Sequence, residues 1–366
     1  MANRQFHKQP NFTLLISVCL FIIIGVLAIT AASAPLALKS GKSPIHYLFN
    51  QLIKGIIPGL FLGMIAYFIP LNFYKKYSFL IFIFAFLLMF AVFIPGLSVN
   101  EGGATRWIDL KIFTFQPSEL LKLATILYLA AILSSRRPVQ KKLFPFIMVL
   151  ILVAIALYCQ SNLSTLVIIA GIACLIFFSA DTPLRYNFAI WIAGILLIGA
   201  MIYFEPYRLE RFLTFLNPSQ DTLGAGYHIN QSLIAIGSGG LLGQGLGSSA
   251  QKLNTLPEAT SDSIFAIFAK ETGFIGCFFL LAAFILFTIT AFTIAKKSAD
   301  SFNKLVAIGI GSWITIQALV NISAMTGLLP LSGTPLPFIT AGGTHTIFEL
   351  ISCGILLKIS TQIKED

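Results

Sequence analysis

The chain has 366 residues, 57% of them hydrophobic and only 10% charged, with 34 phenylalanines. A soluble domain carries about 25% charged residues, so the composition excludes one and points to an all-α, polytopic integral membrane protein. Its long unbroken apolar runs exclude a β-barrel, whose strands alternate, and its net charge of +10 sits in short segments between those runs, which argues against nucleic acid.

A membrane-spanning helix needs about 20 apolar residues. Ten segments qualify in chain order: 12–34, 49–70, 79–96, 115–134, 144–159, 163–180, 187–204, 263–295, 304–326 and 344–361. Ahead of the first stand Arg4 and Lys8, and Ala32-Ser33-Ala34 resembles a signal-peptidase site. The run is long for a signal peptide and Pro35 suits a cut poorly, so it reads as an uncleaved span. The fifth and sixth segments are short and joined only by the polar residues 160–165, which predicts a tight hairpin. No internal repeat or separate soluble domain interrupts the chain, which reads as one membrane domain over 1–366.

Basic residues set the orientation. Arg4, Lys8, Lys75, Lys76, Arg136, Arg137, Lys141, Lys142, Arg185, Lys296, Lys297, Lys304, Lys358 and Lys364 lie on one set of short connections, which is therefore cytoplasmic, with both termini. The loops at 97–114, 205–262 and 327–343 then face outside. Loop 205–262, between spans seven and eight, is too long for a plain connector and is expected to hold short helices or re-entrant segments. Its stretch GYHINQSLIAIGSGGLLGQGLG contains seven glycines. Two readings stay open there: a cavity wall, or close packing of re-entrant segments. It matches neither nucleotide-loop pattern.

Charges within spans are expensive and hint at function. Glu119 and Lys122 stand three apart on one helical face and can pair. Lys270 and Glu271 lie in the eighth span, Glu349 in the tenth. Lys54, near a span end, can snorkel and gets no role. These charges either serve function or bind helices together. Cys19, Cys159, Cys174, Cys277 and Cys353 all fall in apolar stretches and read as small core residues. The four histidines form no cluster, no HExxH occurs, and no GxSxG appears.

Asp262 lies immediately before the eighth span, with Glu258 four residues earlier. An acid there suits a helix N-terminus, so spacing alone reads Asp262 as an N-cap ahead of any catalytic role.

From about Glu101 onward the sequence resembles the SEDS family, the polytopic glycosyltransferases of shape, elongation, division and sporulation. The resemblance is carried, in order, by GGATRWIDLKIFTFQPSELLKLATILYLA, RFLTFLNPSQDTLGAGYHINQSLIAIGSGGLLGQGLG, LPEATSDSIFAIFAKETGFIG and GLLPLSGTPLPFITAGGT. GLGSSAQKLNTLPEA resembles the division (FtsW) branch more than the elongation (RodA) branch. What the resemblance implies is polymerisation of lipid II, the undecaprenyl-pyrophosphate-linked disaccharide peptide, outside the bacterial cytoplasmic membrane. It implies Asp262 as general base, Glu258 in support, Arg106 as the outer-loop arginine, and Glu119 with Lys122 as the fourth-span pair. The partners it implies are a class B penicillin-binding protein and other divisome proteins. The sequence departs from the family at Thr260-Ser261-Asp262-Ser263, where His-Thr-Asp-Phe is usual, at Lys270-Glu271, at Gln160-Ser161-Asn162, and at Thr340-Ala341-Gly342-Gly343-Thr344.

Inverting displacement from a sugar pyrophosphate needs one base for the acceptor 4-hydroxyl and positive charge for the developing phosphate. Arg106, Arg208, Arg211 and Lys252 are the outer-face cations available; a divalent cation, Mg or Mn, on Asp262 or Glu258 is the other route. A lipid II flippase, which would also use Glu119, Lys122, Glu271 and Glu349, and a weakly catalytic division scaffold are the competing readings.

Overall fold

The computed structural model describes residues 9–39, 46–101, 104–111, 113–180, 182–217, 224–245, 247 and 261–363. Among them, a helix stands on each of the ten expected segments. α1 is Phe12–Lys39; the second segment is α2 (His46–Gln51), a π-turn at Leu52–Ile56, and α3 (Ile57–Phe68); α4 is Leu71–Phe90. Then come α5 (Pro117–Leu133), α6 (Val139–Cys159), α7 (Leu163–Phe178) and α8 (Leu184–Tyr203). After the long loop, which holds α9 (Pro206–Leu216) and α10 (Ala225–Ser238), follow α11 (Ile264–Lys297), α12 (Ser301–Met325) and α13 (Gly343–Ser360). The expectation of short helices inside that loop is met.

Seven of these helices are long and apolar enough to cross a membrane, which makes the chain a multi-pass membrane protein. α5 and α7 are shorter and α13 is richer in polar groups, and all three lie inside the bundle. α5 packs on α4, α7 and α12, and α13 packs on α3, α5 and α12. An interior helix meets protein rather than lipid, so its sequence need not be uniformly apolar. α12 is the central pillar, touching α5, α7, α10, α11 and α13. α8 is peripheral, with only Asn187 buried, and packs on α7 and α9.

Two close backbone crossings fix the bundle. Gly55, Gly59 and Gly63 recur every four residues, one helical face, and α13 lies against that face. A Cβ on Gly63 would stand 2.7 Å from the Leu350 carbonyl, and one on Gly354 would strike the backbone of Gly63. Small residues at this spacing let helices approach closely in lipid.

The second crossing explains the glycine-rich stretch. α11 is broken at Gly273 (φ 68°, ψ −165°), which frees backbone groups inside the bundle. Residues 240–245 satisfy them: Phe274 N–H donates to Gly240 O (2.9 Å) and Ile275 N–H to Leu241 O (3.2 Å). In return Gln244 N–H donates to Lys270 O (3.0 Å) and Gly245 N–H to Glu271 O (3.1 Å). Any Cβ on Gly243 or Gly273 would collide with the opposite backbone. Close packing is thus what several of these glycines serve.

A feature the sequence reading did not foresee is a small antiparallel sheet of β1 (Ser98–Glu101), β2 (Ala104–Asp109) and β3 (Thr114–Phe115). Its strands are too short to register against long apolar helices in a pattern search.

Candidate active site

The site assembles around the turn at residues 261–263. The helix N-cap is Ser263, and its side chain makes no capping bond. Asp262 stands one residue outside that position, which corrects the reading of it as the N-cap. The chain completes a turn over 261–263 before helical geometry begins at Ile264.

Three different elements hold three consecutive residues of this turn. From the loop after α12, Thr340 Oγ1 donates to Ser261 O (3.3 Å). On α12, Asn321 Nδ2 donates to Asp262 O (3.0 Å) and to Thr334 O (2.7 Å). On α10, His228 Nε2 and Ser263 Oγ share a hydrogen bond of 2.6 Å.

The loop that supplies Thr334 and Thr340 rests on the buried charges. Lys122 Nζ pairs with Glu119 Oε2 (2.9 Å), donates to Gln317 Oε1 (2.7 Å) and lies 4.8 Å from the Trp313 ring centroid. Gln317 Nε2 donates to Pro335 O (3.1 Å) and to Glu349 Oε1 (3.5 Å). Glu349 Oε2 accepts the Phe338 N–H at 2.8 Å. Phe338 sits at φ 62°, a left-handed conformation costly for a bulky side chain. Glu349 and the stacking of Phe338 on Phe21 (5.4 Å between centroids) hold it there. Glu119, Lys122 and Glu349 therefore belong to one buried network, joined by the Glu119–Lys122 ion pair and the hydrogen bonds of Gln317, that shapes the 327–342 loop. Glu271 is buried elsewhere, where its Oε1 accepts the Gly247 N–H (3.2 Å). Lys270, its neighbour on α11, is buried too.

The cations converge on the same end. Arg106, on β2, donates through Nε to Gln160 O (3.3 Å) and through Nη2 to Ser161 O (2.6 Å), clamping the α6–α7 turn. That turn is the expected hairpin, with Asn162 capping α7 through Thr165 N–H. Burial lowers the pKa of Arg106 most, Arg211 and Arg208 push it the same way, and Tyr207 and Asp262 oppose them. Arg106 is thus within electrostatic reach of Arg208, Arg211 and Asp262. Arg208 and Arg211 lie three apart on α9, over the rings of Tyr158 (5.1 Å) and Tyr207 (4.7 Å).

A guanidinium stays charged in such a setting, so Arg106 feels two further cations and one carboxylate, a net positive balance that favours an anionic phosphate group. Lys252 and Glu258 lie outside the described residues. Lys54 stands elsewhere, in a cleft of about 210 Å³ with Asp109, Lys111, Phe113, Thr114 and Gly343. Among the described residues no three His, Cys, Asp or Glu side chains are grouped to hold a metal ion.

A family model described as "Cell cycle protein", covering FtsW, RodA and SpoVE, matches residues 12–365. The chain belongs to this family, the SEDS proteins. A probable peptidoglycan glycosyltransferase FtsW of Geobacter sp. (strain M18) is 34% identical over 366 residues, 99% of each chain. Stage V sporulation protein E of Bacillus subtilis (strain 168) is 34% identical over 360 residues, 96% of this chain and 97% of that one. Among solved structures, a chain from a peptidoglycan synthase complex superposes with a TM-score of 0.81 at 23% identity, covering 96% of this chain and 97% of that one. The rod shape determining protein RodA of Thermus thermophilus gives 0.72 at 20% identity, covering 96% of each. The SEDS resemblance read from the four motifs is therefore correct, and the polytopic helical fold is the fold of these neighbours.

Asn321, Gln317 and His228 were not singled out for the site by sequence, and Ser263 and Thr340 were noted only as departures from the family pattern. Gln317 and Asn321 carried a usable signal: two amides four apart in an otherwise apolar span fall on one face and need partners there.

Proposed function

We propose that the chain is a peptidoglycan glycosyltransferase that polymerises lipid II into glycan strands at the outer face of the bacterial cytoplasmic membrane, in cell division. The observation that carries this is the electrostatic coupling of Arg106 to Asp262, Arg208 and Arg211: one carboxylate to take a proton, three cations to receive phosphate charge.

The acceptor 4-hydroxyl gives its proton to the Asp262 carboxylate as its oxygen attacks C1 of the donor sugar. The new C1–O bond forms on the face opposite the leaving group, the C1–O bond to the pyrophosphate breaks, and configuration inverts. The leaving pyrophosphate keeps the bond's electron pair, and the arginines stabilise the charge that develops on it. No second carboxylic acid is required, because pyrophosphate leaves without protonation. Glu258 supports the base.

A class B penicillin-binding protein is the partner that would cross-link the strands, with other divisome proteins around it. The division branch is favoured by the FtsW names of the relatives at 34–36% identity. The burial of Glu119, Lys122, Gln317 and Glu349 and their pairing with one another support a polymerase over a flippase, whose pathway charges would have to face a moving headgroup.

The test is purified protein with its partner and lipid II, followed by gel separation of glycan strands. Long β-linked strands are expected. Transbilayer movement of lipid II in vesicles without any polymer would overturn the reading.

A further inference from the structure

Asp262 and the arginines carry the proposed chemistry; what aims Asp262 is a separate question. We infer that Asn321 is a positioning residue for the Asp262 carboxylate, acting with Thr340 as a clamp on the backbone of residues 261–262. This rests on the reading of Asp262 as the base.

Asn321 is only 1% exposed, so it does not meet substrate directly. Its Nδ2 spends both protons on carbonyls, Asp262 O at 3.0 Å and Thr334 O at 2.7 Å. Its Oδ1 is buried without a hydrogen bond. A side chain that keeps a buried acceptor unsatisfied is costly, so its worth lies in the two donations. One turn earlier on the same face, Gln317 Nε2 donates to Pro335 O. Two amides on α12 therefore grip two consecutive carbonyls of the final loop, and one of them reaches on to Asp262.

Thr340 completes the arrangement. Its Oγ1 accepts from Leu336 N–H (2.7 Å) and donates to Ser261 O (3.3 Å). Fixing two successive carbonyls fixes the peptide planes on both sides of the Asp262 Cα, and with them the direction of its Cα–Cβ bond. Proton transfer demands a narrow geometry, and a misplacement of about 1 Å can cost about 10²-fold.

The experiment is steady-state polymerisation of lipid II by the purified chain with its partner, with thermal unfolding of each variant. Asn321→Ala should lower kcat about 10–100-fold with KM within about threefold and little change in unfolding temperature. Thr340→Val should lower kcat in the same way, while Thr340→Ser, which keeps the hydroxyl, should recover most of the turnover. If Asn321→Ala fails to fold, the Thr340 pair decides alone. In an Asp262→Asn background, adding Asn321→Ala should change the residual rate little, because the two act as one unit. Wild-type kcat in Asn321→Ala, equal kcat in Thr340→Val and Thr340→Ser, or multiplying losses in the double variant would overturn the inference. Full activity in Asp262→Asn would instead overturn the assignment of the base on which it rests.

Discussion

Asn321 Nδ2 lies 3.0 Å from the backbone oxygen of Asp262, joining the central helix of the bundle to the residue proposed as the base. Through Gln317, one turn away, the same helix reaches Lys122 and Glu349. The buried charges and the candidate active site are thus two ends of one hydrogen-bonded frame.

Arg106 should not tolerate lysine. Its guanidinium addresses two consecutive carbonyls, Gln160 O and Ser161 O, through a planar fork that an ammonium cannot reproduce. With each such bond worth about 1 kcal/mol or more, Arg106→Lys is expected to lose about 10–100-fold in kcat/KM. Measuring polymerisation across a lipid II series checks this; near-wild-type values would show that only the charge matters.

Removing one member of the Glu119–Lys122 pair should damage the fold more than removing both. Each group is about 2% exposed, and leaving a buried charge alone costs about 3–5 kcal/mol. Glu119→Leu should therefore lower the unfolding temperature in detergent sharply. Glu119→Leu with Lys122→Met should recover much of it, since Gln317 Oε1 keeps its bond from Trp313 (2.8 Å). A double variant worse than both singles would contradict this account.

Two glycines of the same stretch should respond differently to alanine. At Gly243 (φ 78°) a Cβ would strike the Glu271 carbonyl, whereas Gly240 (φ 55°) opens onto free space. Gly240→Ala carries only the left-handed penalty, about 1–2 kcal/mol. Gly243→Ala adds a backbone clash and should exceed about 4 kcal/mol. Thermal unfolding and yield of folded protein are the readouts, and equal losses would remove the case for the crossing.

What was legible in the sequence follows the strength of the physical signal. Each of the ten apolar runs holds helix, and seven of those helices are long and apolar enough to cross a membrane, because length and hydropathy are loud. Glu119 and Lys122 were readable as a pair from their spacing alone. Spacing alone made Asp262 a helix cap; that position turns on one residue, and Ser263 takes it. The glycine stretch allowed two readings, since a missing side chain looks the same whether a ligand or another backbone comes close; only the break at Gly273 decides. Asn321 and Gln317 went unremarked because charge was weighed and neutral amides were not, although a buried amide must also find partners. The convergence of Arg106, Arg208 and Arg211 joins β2 to α9 across about a hundred residues, and nothing local in either segment encodes it.

The most direct test of the central claim is the lipid II polymerisation rate of Asp262→Asn, purified with its partner and shown to be folded. Asparagine keeps the size and the backbone bonds to Asn321 and Thr340 but cannot take the proton. Loss of at least about 10²-fold in kcat, the lower bound expected for a general base, is predicted, with lipid II binding retained. A variant that polymerises at the wild-type rate would contradict the account.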